Sequence, residues 1–207
     1  KLEKFDIKKS WYDDLSDINI DKSPVFFLAN EFLDCLPIQQ YKQIVFKNKN
    51  IWKKICIKTN ANSFYFDLVP VDKIENKKMS KFNKIIKKNE VIEISPKRNR
   101  IFKKISKMIK NNDGGGLFID YGKWSPIGNT LQAVYRNNKV KIFDKIGLCD
   151  YSSLVDFSSI NDVAKNLDLN TNPLITQRDF FLKLGILERA ETLAKNATYL
   201  QKKDIIS

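Results

Sequence analysis

Two short apolar runs, each ending abruptly in polar residues, constrain the fold of this chain most. The first, Val25-Phe26-Phe27-Leu28, runs into Ala29-Asn30-Glu31-Phe32-Leu33-Asp34-Cys35-Leu36-Pro37. The second, Leu117-Phe118-Ile119, runs into Asp120-Tyr121-Gly122. Apolar runs of this length, bounded by turn signals, read as buried strands. Between them Ser95-Pro96 is a helix start, with Ser as N-cap and Pro at the first helical position. Ile101, Ile105, Met108 and Ile109 then fall on one helical face. Strand, helix and strand predict an α/β domain. Ligands of open α/β sheets sit beyond the carboxyl ends of the strands. Asn30, Glu31 and Asp34 stand at such an end, and burying polar groups unpaired costs about 1–3 kcal/mol each. They mark the candidate site.

The remaining segments add an antiparallel component. Gln43–Phe46, Asn50–Lys58 and Ser63–Pro70 alternate apolar and polar residues, which predicts a β meander inserted over 43–70. Thr130–Tyr135 and Val140–Phe143 read as a hairpin joined by Arg136-Asn137-Asn138-Lys139. Trp11-Tyr12 reads as a short strand and Glu31–Pro37 as a turn or short helix that Pro37 closes. Gly114-Gly115-Gly116 reads as a helix stop. Helices are expected over Phe157–Leu167, over Arg178–Leu184 and, as one amphipathic stretch, over Ile186–Leu200.

The 207 residues contain no histidine. That removes Ser-His-Asp triads, Cys-His dyads, His-ligated metals and imidazole acid–base chemistry. Three widely spaced cysteines, Cys35, Cys56 and Cys149, argue against a disulfide framework or a Cys-type zinc site and suit a reducing compartment. No apolar run approaches the ~18 residues of a membrane span, and no secretory signal is visible. The chain opens on Lys1 without an initiator Met, so Lys1 is not expected to be the natural start. The net charge of +13 has two readings. One is a nucleic-acid footprint, with Lys97, Arg98, Arg100, Lys103 and Lys104 as a basic helix start. The other is low-GC codon usage, which the mixed Lys/Asn tracts favour. The basic residues are spread rather than interleaved with a stacking platform, which argues against a nucleic-acid partner. All seven glycines lie at or beyond Gly114, so residues 1–113 cannot form the Gly-rich turn that a nucleotide-binding fold places after its first strand.

At this point the residues point to a family. Asn30-Glu31-Phe32-Leu33-Asp34-Cys35-Leu36-Pro37 resembles the Asn-Glu-Phe-Phe-Asp-Ala-Leu-Pro signature of the MidA family of class I S-adenosylmethionine-dependent methyltransferases. Gly115-Gly116-Leu117-Phe118-Ile119-Asp120-Tyr121-Gly122 is similar to the family's Gly-Gly strand ending in Asp-Tyr-Gly. Gly128-Asn129-Thr130-Leu131-Gln132-Ala133 resembles its Gly-Asp-Thr-Leu-Gln-Ala segment, with Asn129 in place of Asp. Asp150 with Val155-Asp156-Phe157, and Thr176-Gln177 with Phe180-Phe181-Leu182-Lys183-Leu184-Gly185-Ile186, resemble two further blocks. Trp11-Tyr12-Asp13-Asp14-Leu15 fits the stretch before the first motif.

The resemblance implies a partial class I methyltransferase (Rossmann-like) α/β sheet, carrying the inserted meander and a closing hairpin. Residues 1–207 are then the C-terminal portion of a single methyltransferase domain. The Gly-rich cofactor-binding part is expected upstream of residue 1, and the 207 residues alone are expected to be inactive. The implied cofactor is S-adenosylmethionine. The implied activity is protein arginine methylation, linked to assembly of respiratory complex I; the implied partner is a protein substrate such as a complex I core subunit. The rival reading is a non-catalytic assembly factor. The expected location is the cytoplasm of a bacterium, or the mitochondrial matrix if the source is eukaryotic. Methyl transfer needs alignment more than acid–base help, which suits a chain without histidine. Glu31 is expected to hold the target guanidinium, with Asp34 supporting it or the turn; a helical turn would place the two on one face. Asn30 is expected near the methionine part of the cofactor and Asp14 near its adenine end. Asp120 and Tyr121 are expected to line the substrate entrance, Tyr121 offering a hydroxyl or a cation–π face. Gln132, Asp156 and Gln177 are expected to give structural support.

Overall fold

The computed structural model describes residues 7–47, 49–87, 90–195 and 197–206, with side chains up to residue 202. The chain divides into two compact units, Lys1–Thr171 and Asn172–Ser207.

In the first unit, β1 (Phe26–Asn30) and β6 (Gly115–Ile119) pair in parallel, from Phe26 with Gly115 to Asn30 with Ile119. Between them the chain makes a four-stranded antiparallel sheet of β2 (Gln39–Phe46), β3 (Lys49–Thr59), β4 (Phe64–Pro70) and β5 (Val91–Ile94), in the order β4-β3-β2-β5. The predicted meander is present, longer at β2 and β3 and extended by β5. One face packs on α1 (Lys73–Met79) and the turn after it, through Tyr41, Trp52, Met79, Ile86 and Ile92. Trp52 Nε1 and Gln43 Nε2 both donate to Asn83 Oδ1, at 2.8 and 3.0 Å, so the buried polar atoms of this face are satisfied.

Chain direction reverses through α2 (Pro96–Asn111), which leads back to β6. Ser95 Oγ accepts from Arg98 N at 3.2 Å and donates to the Pro37 carbonyl at 2.6 Å, so the helix cap is also a tie to the turn after β1. A core of Leu33, Phe102, Val155, Ile160 and Ala164 joins α2, α3 (Phe157–Lys165) and the β1–β6 pair, with Phe102 edge-on to Phe118 at 5.0 Å. The closing hairpin is β8 (Gln132–Tyr135) and β9 (Asn138–Val140), flanked by β10 (Asp150–Ser152) in the order β10-β8-β9. Its turn is two residues long, not four. Arg136 and Asn137 both take positive φ, 48° and 63°, the type I′ conformation that matches strand twist. A two-residue ladder of β7 (Gly122–Lys123) and β11 (Val155–Asp156) completes the unit.

Several expectations are corrected. Trp11-Tyr12 forms no strand; both side chains are exposed. Gly115 and Gly116 do not stop a helix but begin β6, while the helix ends at Asn111 with Asn112 as its cap. Gly114 has a different reason to be glycine: a Cβ there would lie 1.9 Å from the Val25 carbonyl oxygen, to which Gly115 N donates. Neither apolar strand is buried on both faces: Phe26 and Leu28 are 80% and 75% exposed, and Leu117 is 38% exposed. In the second unit α4 (Gln177–Lys183) ends at Gly185, φ 78°, as its sequence suggested. The stretch Ile186–Leu200 is two helices, α5 (Ile186–Lys195) and α6 (Tyr199–Ile206), because Thr198 and Gln201 form a reciprocal cap between them. Among the described residues no helix is long and apolar enough to cross a membrane.

Gly114→Ala is expected to lower stability by about 1–3 kcal/mol, the usual cost of forcing a methyl group into filled space, read as a fall in the urea midpoint at unchanged slope.

Candidate functional site

The site is built on the turn after β1. Glu31 takes φ 48°, the left-handed region, while its N–H donates to the Ile119 carbonyl at 2.9 Å. This conformation costs a non-glycine residue of order 1 kcal/mol or more. The next residues turn rather than form a helix, so Glu31 and Asp34 do not share a helical face: Glu31 is exposed and Asp34 is buried. Asp120, at the end of β6, builds this turn. Its Oδ2 accepts from Phe32 N at 3.1 Å and Leu33 N at 2.7 Å, and its Oδ1 accepts from Tyr121 N at 2.8 Å. The carboxylate expected at a substrate entrance is thus held by three backbone donors, each a charge-assisted bond.

The same turn is held from the other side by Arg98, which is 3% exposed. Its Nε donates to the Leu33 carbonyl at 2.8 Å, one terminal nitrogen to the Leu154 carbonyl at 3.3 Å and the other to Ser153 Oγ at 3.2 Å. Burial depresses its pKa, while Asp120 and Asp34 pull it back up. The basic helix start therefore loses Arg98 to the interior; Lys97, Arg100, Lys103 and Lys104 remain exposed. Its position was legible in part: Arg98, Phe102, Ile105 and Ile109 share one helical face, all buried. Ser153 and Glu93, which the sequence did not single out, belong to the same construction. Ser153 N donates to the Asp34 carbonyl at 3.0 Å. Thr130 N donates to Glu93 Oε1 at 3.0 Å and Thr130 Oγ1 to Glu93 Oε2, and that hydroxyl accepts from Leu154 N at 2.9 Å.

These ties border an open cleft of about 400 Å³ lined by Asp34, Tyr121, Asn129, Gln132, Lys139 and Ser153, among others. Tyr121 is 62% exposed at its rim. Gln132 Nε2 donates to Ser152 Oγ at 3.0 Å. Asp34 is raised above the usual carboxylate range, first by burial and then by the neighbouring Asp120 and Glu31 charges. Asn30 is exposed at the end of β1, on the strand face that also carries Phe26 and Leu28. Asp14 Oδ1 accepts from Ser16 N, Ser16 Oγ and Lys104 Nζ, at 2.8, 2.6 and 3.2 Å, bonds that hold its carboxyl far below the usual range. That oxygen is occupied by local capping. Asp156 caps α3 and also accepts from Ser125 N at 3.2 Å, in line with a supporting role. Gln177 begins α4, in the other unit. No group of three or more metal-ligating side chains occurs among the described residues.

A strand–helix–strand frame with an acidic turn at a strand end places the cleft where open α/β sheets bind ligands. Residues 1–174 match a family described as putative S-adenosyl-L-methionine-dependent methyltransferase, and the chain belongs to that family, the MidA family of its sequence signature. Among curated relatives, the mitochondrial protein arginine methyltransferase NDUFAF7 of Rattus norvegicus is 27% identical over 199 residues, covering 95% of this chain and 43% of the relative. The Homo sapiens protein of the same name is 25% identical over 195 residues, covering 93% and 42%. This chain thus spans less than half the length of these relatives. A superfamily protein from Burkholderia thailandensis, solved bound to S-adenosyl-homocysteine, superposes with a TM-score of 0.59 at 19% identity, over 72% of this chain and 39% of that one. That likeness establishes the fold, a class I methyltransferase α/β arrangement.

Asp34 yields a pH prediction. A carboxyl whose folded pKa is raised contributes stability below its unfolded value of ~3.9 and loses it as pH rises through the folded value. Asp34→Asn is therefore expected to flatten the fall in stability above about pH 4 and leave the neutral-pH fold no less stable, as read by urea midpoints across pH.

Proposed function

We propose that this chain carries the substrate side of an S-adenosylmethionine-dependent protein arginine methyltransferase. The observation that carries the reading is Glu31. Its backbone is held in a costly conformation, it stands exposed at the end of β1, and no donor among the described residues bonds its carboxylate. Several turn residues share that conformation, among them Lys47, Asp113 and Lys145; what supports the reading for Glu31 is the unpartnered carboxylate at a strand end, where ligands of α/β sheets sit. A guanidinium is the cation whose planar fork fits a carboxylate best.

The residues fit one side of the cofactor. Asn30 ends β1 with an exposed amide free of hydrogen bonds among the described residues, where it would hold the methionine part. S-adenosylmethionine, when bound, would supply an electrophilic methyl group whose bond to the sulfonium sulfur breaks as its bond to nitrogen forms, leaving a neutral thioether. Glu31 then fixes the guanidinium by paired hydrogen bonds, which orients one nitrogen and keeps it electron-rich. Asp34, whose raised pKa makes it the stronger base, takes the proton that this nitrogen sheds as its bond to carbon forms. Tyr121 offers its ring face to the cation at the cleft rim. Asp120 and Arg98 fix the turn that presents both carboxylates. The adenosine part calls for a Gly-rich turn that residues 1–113 lack. We propose that polypeptide beyond these 207 residues contributes it and covers the exposed apolar face of β1. The names of the relatives, mitochondrial protein arginine methyltransferases, support a mitochondrial setting and a protein substrate; a complex I core subunit is the substrate we propose.

In the complete enzyme, Glu31→Gln is expected to lower kcat/KM for a protein substrate about 100-fold, near 3 kcal/mol of lost charge-assisted bonding, with cofactor affinity unchanged by calorimetry. Near-normal turnover would overturn the role of Glu31; absence of methyl transfer by the unsubstituted complete protein would shift the reading to a non-catalytic assembly factor.

A further inference from the structure

One wall of the cleft hangs on the inserted antiparallel sheet. Gly128 N donates to the Val91 carbonyl at 2.9 Å, and two residues further on Thr130 N donates to Glu93 Oε1 at 3.0 Å. Asn129, between them, accepts from Gln40 Nε2 at 2.8 Å. Residues 128–130 are thus tied to β5 and β2, and Asn129 and Thr130 line the cleft. Glu93 does not line it, yet three donors converge on its carboxylate: Gln40 Nε2, Thr130 N and the Thr130 hydroxyl.

The Thr130 hydroxyl passes this grip on. Its proton goes to Glu93, which leaves its lone pairs for Leu154 N, a donor 2.9 Å away. The carbonyl of Leu154 accepts from Arg98 at 3.3 Å, and Arg98 also donates to Ser153 Oγ at 3.2 Å. Ser153 N in turn donates to the Asp34 carbonyl at 3.0 Å. A line of hydrogen bonds therefore runs from Glu93 on the inserted sheet to the backbone of Asp34. The placement of reacting groups governs rate steeply, since a shift of ~1 Å can cost about 100-fold.

We infer that Glu93 is a positioning residue for methyl transfer: through the Thr130 hydroxyl it fixes Ser153 and Leu154, and with them the Asp34 end of the cleft. The inference rests on the reading of Asp34 given above and adds a residue that acts without touching the cleft.

The test uses the complete polypeptide that carries these residues. Glu93→Gln sets an N–H2 group against a donor in either orientation of its amide. Thr130→Val keeps the shape and removes the hydroxyl, and Thr130→Ser keeps the hydroxyl. Methyl transfer from labelled S-adenosylmethionine is measured on purified complex I core subunits, one by one. Rates are expressed per cofactor site, counted by calorimetry with S-adenosyl-homocysteine, and hydrogen exchange is followed at the Ser153 and Leu154 amides. Glu93→Gln and Thr130→Val are expected to lower kcat per site at least about 10-fold, with KM changed less than about 3-fold. Both are expected to speed exchange at the two amides by about 10-fold. Thr130→Ser is expected to rescue both readouts. A kcat per site within about 2-fold of the parent in Glu93→Gln overturns the inference, as does a Thr130→Ser variant that rescues neither readout. Loss of the cofactor sites in both Glu93→Gln and Thr130→Val also overturns it, because the tie then serves folding alone. Faster exchange that Thr130→Ser reverses, in a polypeptide that methylates no subunit, supports the tie and overturns the arginine reading, so the two failures are distinct.

Discussion

One buried guanidinium organises this protein. Among the described residues Arg98 has no carboxylate within ion-pair distance; it is satisfied by two carbonyls and a hydroxyl. A charge in the interior is costly; the three hydrogen bonds and the nearby Asp120 and Asp34 charges reduce that cost, though burial still lowers the guanidinium's pKa. A lysine could not replace it, since a point charge cannot reach three acceptors in divergent directions. The turn after β1, the Ser153–Leu154 segment and the start of α2 are thus fixed relative to one another by a single side chain. Asp120 completes the clamp by accepting from the N–H groups of the turn whose carbonyl Arg98 holds.

A second relay runs from the antiparallel sheet into the site. Glu93 on β5 holds Thr130, and Thr130 holds Leu154, whose carbonyl Arg98 also engages. Gln40 Nε2 donates both to Glu93 Oε1, at 2.7 Å, and to Asn129 Oδ1, at 2.8 Å. Asn129 thus stands as a neutral acceptor beside Glu93; a carboxylate there would share one donor with Glu93 and repel it. The meander is thereby coupled to the cleft by charge-assisted hydrogen bonds.

Much of the architecture was legible in the sequence because it is encoded locally. Ser95-Pro96, the alternation in β2 to β4 and the apolar runs of β1 and β6 are short-range signals, and each element stands within a few residues of its expected place. The strand-end position of Glu31 and Asp34 was legible for the same reason. What escaped was determined by long-range partners. Nothing local distinguishes Arg98 from the exposed cations beside it except its phase with Phe102, Ile105 and Ile109. The assignment of Asp120 to backbone N–H groups depends on a turn some ninety residues earlier in the chain. Of the two readings of Glu31–Pro37, turn or short helix, the turn is the one that forms, and Asp120 and Arg98, both distant in sequence, fix it.

The parallel pairing of β1 with β6 requires two segments separated by about 85 residues to meet. Loop closure costs entropy in proportion to the logarithm of the intervening length. Once Gln39 pairs with Ile94, the free chain between the strands shrinks to about 30 residues, which reduces that cost by about 1 kcal/mol. The antiparallel insertion is therefore also an entropic shortcut. Its own hairpins close over few residues, and by forming they bring the two halves of the signature site together.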